Sequence, residues 1–189
     1  MRAALKQTSF TRDQRGMAAV EFALLTPVFC LLIAGVIDLG GALYTRFKLD
    51  AAVSAGTNYA QLNAINVTAT NGQTLATSIA TIVEASQGTA WADDSVIVNN
   101  GPSTTVTSGI GANSGTASNA DLCYCPDGTP SSFNWGGSTT CGQACPGTNK
   151  GYAGKFVVIT ASRPYTPIFS SYGLVQNGTM TASATVQVQ

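Results

Sequence analysis

The sequence predicts an α+β fold. A long N-terminal transmembrane helix continues into a small domain with a second helix, a three- to four-stranded antiparallel sheet and a disulfide-stapled loop. Three observations predict it. An apolar run follows a basic leader and passes without a break into a four-residue apolar repeat, the pattern of one continuous helix. Ser95–Val98, Lys155–Ser162 and Thr179–Gln189 are β-branched or alternating and supply strands. Four cysteines bracket residues 123–145, a loop too poor in apolar side chains to hold itself together. The expected division is 1–16 as leader, 17–64 as transmembrane and extended helix, and 65–189 as one extracytoplasmic domain.

Composition narrows the function. Only 10% of the 189 residues are charged, which suits a secreted or surface-exposed protein better than a cytosolic enzyme. Net charge is zero, but residues 1–16 hold Arg2, Lys6, Arg12 and Arg15 against Asp13 alone, so the rest of the chain carries −3. After residue 48 the only cations are Lys150, Lys155 and Arg163, too few for a nucleic-acid surface. Histidine is absent, which removes the commonest general base and the commonest zinc ligand. No nucleophile motif of the G-x-S-x-G or S-x-x-K kind occurs. Asp93 and Asp94 are adjacent, so on a strand they face opposite ways; they read as a solvated turn before the strand rather than a catalytic pair. No enzymatic activity, cofactor or metal site is expected.

The first informative stretch is Gln14–Leu25, where the leader ends in Gly16 and an apolar segment begins with one carboxylate, Glu21. A charge inside a membrane helix costs ~2.5–3.5 kcal/mol on insertion scales, so it calls for a partner. Cleavage after Gly16 would make Met17 the new terminus, and its ammonium would share a helix face with Glu21 four residues on. The four basic residues of the leader outnumber Arg46 and Lys48 beyond the span, which places the N-terminus in the cytoplasm. Signal-peptidase cleavage near Gly40-Gly41-Ala42 would leave Glu21 unexplained, and Phe29 before Cys30 argues against lipoprotein processing. Cys30 is expected to be a buried apolar thiol.

Between Glu21 and Asp38 lie sixteen uncharged residues, which span ~24 Å; Ala18–Val20 and Leu39–Tyr44 complete a membrane crossing. Asp38 then falls near the outer interface, and Pro27 can bend the helix and free one carbonyl. Leu39, Leu43, Phe47, Ala51, Ala55, Tyr59 and Leu62 continue the helical stripe to about residue 64. The small residues Ala51, Ala52, Ser54, Ala55 and Gly56 allow close approach of another helix or of the protein's own sheet.

A turn at Ala69–Gly72 leads to a second helix over 73–86, with Leu75, Ile79, Ile82 and Val83 on one face and Gly88 as its stop. Residues 99–121 are small and polar and read as a long exposed loop with a short strand at Thr104–Thr107. Cys123, Cys125, Cys141 and Cys145 on an extracytoplasmic segment imply two disulfides, with three connectivities open. A hairpin-like loop favours nested pairing, Cys123 with Cys145 and Cys125 with Cys141. A four-cysteine zinc site fits less well, because C-x-C plus C-x-x-x-C departs from the usual paired C-x-x-C spacing. Arg163-Pro164-Tyr165-Thr166-Pro167-Ile168-Phe169 reads as a rigid aromatic turn packing back on the core.

The G-x-x-x-x-E-F pattern at Gly16, Glu21 and Phe22 resembles the cleavage site of type IV prepilins. More narrowly, Arg15–Val28, Asp38–Tyr44 and Asp50–Gly56 resemble TadE-like pseudopilins, minor pilins of the bacterial Tad (tight adherence) system. The resemblance covers roughly residues 12–62. It implies a pilin-like fold, cleavage between Gly16 and Met17 by a prepilin peptidase, and an assembly role for Glu21. It implies as partners that peptidase, the other Tad pilins and the inner-membrane assembly platform. It also implies a single-pass inner-membrane location with the domain in the periplasm, and later in the pilus at the cell surface. The larger TadG-like relatives carry a long extra domain, so a TadE- or TadF-like role is expected. The alternative is a membrane-anchored adhesin or sugar-binding module that presents Trp91, Tyr124, Trp135 and the Asn-rich loops.

Overall fold

A computed structural model describes residues 16–129, 132–147, 151–167 and 178–189. The leader up to Arg15, together with Ile168 and Phe169 of the aromatic turn, lies outside the described residues. Helix α1 runs unbroken over Met17–Leu62 and is followed by a 3-10 turn at Ala64–Asn66. Pro27 lies inside α1 without interrupting it. Its neighbour Thr26 donates its hydroxyl to the Phe22 carbonyl one turn back, at 2.6 Å. Helix α2 spans Gly72–Gln87, and Gly88 ends it at φ 99° with its N–H on the Glu84 carbonyl.

The strands that follow are β1 (Asp93–Val98), β2 (Ser103–Thr107), β3 (Ile110–Ser114), β4 (Cys123–Tyr124), β5 (Asp127–Thr129), β6 (Ser132–Asn134), β7 (Ser138–Thr139), β8 (Phe156–Pro164) and β9 (Thr179–Gln187). Five of them form one antiparallel sheet in the order β3-β2-β1-β8-β9. The sheet is larger than the expected three or four strands, because the stretch at 99–121 holds, besides the expected short strand (β2), a partner that makes it a hairpin, β2–β3, and a 3-10 turn at Ala117–Asp121. The hairpin was hidden because β3 is exposed along its whole length and shows no apolar alternation.

Both helices pack on one face of this sheet. In β1 every second residue is buried, and Val96 and Val98 stand opposite Ile159 and Val157 of β8. These join Leu49 and Val53 of α1, Leu75, Ile79 and Val83 of α2, and Ala182 and Val186 of β9 in a single core. The face of α1 that enters this core differs from the expected one. Asp38, Ala42, Thr45, Leu49, Ala52, Val53, Gly56 and Ala60 are buried, while Leu39, Leu43, Phe47 and Leu62 are exposed. The small residues turn inward because α2 and β8 come too close for anything larger. A Cβ on Gly56 would lie 2.7 Å from Val83 Cγ2 and 3.1 Å from Ile159 Cδ1.

One buried polar residue, Asn99, organises the turn after β1. It is fully buried and has a left-handed backbone at φ 50°, a conformation that asparagine tolerates better than most residues. Its Nδ2 donates to the carbonyls of Asn119, Ala120 and Leu122, and its Oδ1 accepts from the Phe156 N–H at 3.2 Å. The 117–122 segment is thereby tied to the start of β8.

Candidate functional site: the N-terminal helix, its junction with the domain and the stapled loop

From Met17 to Ile37 no residue of α1 is buried. The helix is long and apolar enough to cross a membrane once. Gly16 caps it without a side-chain hydrogen bond, and a Cβ there would meet nothing within 4 Å. Glu21 lies one turn into the helix and is exposed. Gly16, Met17 and Glu21 are therefore on free backbone and free helix surface. Cys30 is exposed as well, contrary to the expected burial, because the domain does not reach that far down α1.

Among the described residues, Asp38 is the first of α1 to be buried by the domain. The Tyr165 hydroxyl donates to the Asp38 backbone carbonyl at 2.8 Å and lies 3.2 Å from its Oδ1. Asp38 is only 3% exposed although it directly follows the free apolar stretch. Gly41 permits the approach, since a Cβ there would stand 2.9 Å from the Tyr165 oxygen. The aromatic turn thus packs on the helix at the edge of its apolar span. The contact joins residues 127 apart, and no local pattern in the sequence announces it.

Two positively charged side chains share Trp91, with Lys48 Nζ 4.2 Å and Arg163 Cζ 4.1 Å from the ring centroid. Arg46 pairs with Asp50 at 3.1 Å and donates to the Thr181 carbonyl. Because Ser162 pairs with both Asp93 and Thr181, these groups form one patch at the end of the sheet nearest the free part of α1.

The stapled loop sits at the other end of β8, where Tyr124 exchanges backbone hydrogen bonds with Gly154. Its disulfides are Cys123–Cys141 and Cys125–Cys145, with Cα separations of 5.1 and 5.6 Å. The pairing is crossed rather than nested, and the four sulfurs are joined rather than set as a zinc cage. The register of the small strands explains the crossing. β4 pairs with β7 so that Cys123 faces Thr139, which leaves Cys141 diagonal to it on the same side. The chain then turns, with the Gln143 N–H on the Thr140 carbonyl, and Cys145 bonds its backbone to Gly151. The strand beside β4 therefore never extends to set Cys145 opposite Cys123. Trp135 packs edge-on against both Tyr124 and Phe133, so the aromatic groups of the loop form its small internal anchor.

The two adjacent aspartates are not in a solvated turn; both belong to β1. Asp93 accepts the Ser108 N–H. Asp94 is 2% exposed and accepts from Gln87 Nε2 at 3.1 Å. Burial pushes its carboxyl up to about 6; the Gln87 bond pulls it back, and the charges of Glu84 and Asp93 push it further up.

Comparison with known proteins adds one positive finding. No curated protein and no solved structure matches the chain. Residues 16–57, the segment that holds Gly16, Glu21, the apolar span and the small-residue face of α1, match the family model described as TadE-like protein.

Proposed function

We propose that the protein is a minor pilin of a Tad-type pilus, held in the inner membrane by α1 and processed between Gly16 and Met17 by a prepilin peptidase. In this reading the domain faces the periplasm and later the cell surface, and the role is structural rather than catalytic. The observation that carries it is the pairing of a TadE-like segment at residues 16–57 with a helix of which none of the first 21 residues, Met17–Ile37, is buried among the described residues. A helix that is bare over a membrane's thickness can leave lipid and pack among like helices without unfolding its domain. Glycine at 16 leaves the backbone open to a protease. Glu21 then offers an anion to the Met17 ammonium of its own or an incoming subunit, which biases docking to one axial register.

The test compares processing with assembly. Gly16→Leu is expected to leave full-length precursor in the membrane, and the mature N-terminal residue of the wild type, read by mass spectrometry, is expected to be Met17. Glu21→Gln is expected to be cleaved but to recover less of the other pilins in pull-down. Normal cleavage of Gly16→Leu would rule out the site, and normal piliation with Glu21→Gln would rule out the charge mechanism.

A further inference from the structure

Four described residues after Gly16 carry positive charge: Arg46, Lys48, Lys155 and Arg163. Lys155 is 8% exposed and donates to the Val67 carbonyl at 2.7 Å. The other three gather around Trp91 and β9 at the end of the domain nearest the bare helix. Arg46 already has Asp50 and Thr181 as partners. Among the described residues, neither Lys48 nor Arg163 makes an ion pair; both lie over the ring of Trp91. The neighbouring carboxylates are engaged, Asp50 by Arg46, Asp93 by the Ser108 N–H and Asp38 by Tyr165. Two unpaired cations on one ring, in a chain that is otherwise acidic after Gly16, call for an outside anion.

The level of the patch along α1 identifies the anion. The exposed apolar surface of α1 does not stop at Ile37. It continues along the side away from the domain through Leu39, Leu43 and Tyr44 to Phe47. Met17 to Ile37 measures ~31 Å of helix, against ~30 Å for the hydrocarbon core, so the domain-covered Asp38 marks its outer edge. Leu39, Leu43 and Tyr44 then pass through the headgroup layer, and Arg46 and Lys48, ~12–15 Å above Asp38, stand at its outer side with long side chains that slant back toward the phosphates. On the opposite side of the same turns, Asp38, Ala42 and Thr45 are covered by the domain, so its lower edge enters the headgroup layer beside them.

We propose that Lys48 and Arg163, arrayed on Trp91 with Arg46 beside them, seat the membrane-proximal end of the domain on the anionic phospholipid headgroups of the leaflet from which α1 emerges. The proposal rests on α1 crossing the membrane but not on cleavage or pilus assembly. Its consequence is that the domain is held at a set height and tilt before assembly, and that leaving the bilayer breaks these phosphate contacts.

The experiment uses the full chain in lipid nanodiscs, in a Trp135→Phe background so that Trp91 is the sole tryptophan. Incorporation is read separately, by co-purification with the discs. Quenching of Trp91 by a nitroxide on the lipid headgroup is measured in phosphatidylglycerol discs and in phosphatidylcholine discs. Strong quenching in the anionic discs is expected, weakened by salt and by zwitterionic lipid. Lys48→Gln and Arg163→Gln should each lower the docked-to-undocked ratio about five-fold while leaving incorporation unchanged. Incorporated protein whose Trp91 is quenched equally in both lipids, or only by aqueous acrylamide, would overturn the docking while sparing the anchor. Failure to incorporate at all would overturn both. Crosslinking of Lys48 to a carboxylate of a second chain, without headgroup quenching, would assign the patch to a protein partner and overturn the lipid assignment.

Discussion

Asp94→Asn is expected to stabilise the domain at neutral pH and to have little effect in mild acid. Three oxygens around this residue lack a hydrogen-bond partner: Asp94 Oδ2, Gln87 Oε1 and Glu84 Oε1. All three are acceptors, and a proton on Asp94 would add a donor among them. The folded-state pKa is raised to about 6, by burial above all, with the charges of Glu84 and Asp93 and against the Gln87 bond. It lies above the ~3.9 of an unfolded aspartate, so the folded state binds the proton more tightly than the unfolded state. Stability is therefore greatest below pH ~4, falls as pH rises through the window from ~4 to ~6, and levels off above it. Two pKa units at ~1.36 kcal/mol each put the loss on the order of 3 kcal/mol. Asparagine keeps the acceptor for Gln87 Nε2 and adds a donor for one of the orphaned oxygens, without a charge to bury. The assay is denaturant unfolding of the full chain in detergent, followed by near-ultraviolet circular dichroism from pH 4 to 8. Wild type is measured against the variant so that other carboxylates cancel. Curves that converge near pH 4 and separate by 1–3 kcal/mol near pH 7.5, in favour of the variant, are expected. Parallel curves, or a variant less stable at pH 7.5, would refute the reasoning.

Gly56→Ala is expected to lower stability, because overpacking against Val83 and Ile159 costs ~1–3 kcal/mol and exceeds the ~1 kcal/mol gained in helix propensity. Val83→Ala in the same chain should recover part of that loss, as read by thermal melts. Asn99→Ala should cost ~3–5 kcal/mol, since it strips buried carbonyls and the Phe156 N–H of their partner. Asn99→Gly should cost less, because glycine accepts the left-handed backbone, and equal losses would show that the φ contributes nothing. Peptide mapping of unreduced protein should recover Cys123–Cys141 and Cys125–Cys145, with Cys30 alone open to thiol labelling. Removing either bridge should cost ~2–5 kcal/mol.

Local chemistry made part of this protein readable from its sequence alone. The apolar run and its continued helical spacing set α1 to within two residues, Met17–Leu62 against 17–64. The spacing of Leu75, Ile79 and Val83, stopped by Gly88, set α2. β-branched density set β8, and alternation set β9. Gly16, Glu21 and the residues around them carried the TadE-like resemblance, because they are contiguous in the chain and their pattern can be read without the fold. What depends on two distant segments meeting was not readable. Periodicity shows that α1 has an apolar stripe, but only the closeness of α2 and β8 decided that the small face goes inward and the large one outward. The cysteines announced two bridges, yet the register of β4 on β7 chose the pairing. β2 was legible as the short strand at Thr104–Thr107, but the polar stretch after it looked like loop until backbone pairing with β2 made β3 of it. The Tyr165 contact with Asp38, the two cations on Trp91 and the raised carboxyl of Asp94 each follow from long-range approach and desolvation. Sequence neighbours do not encode these, because burial and distance belong to the folded chain.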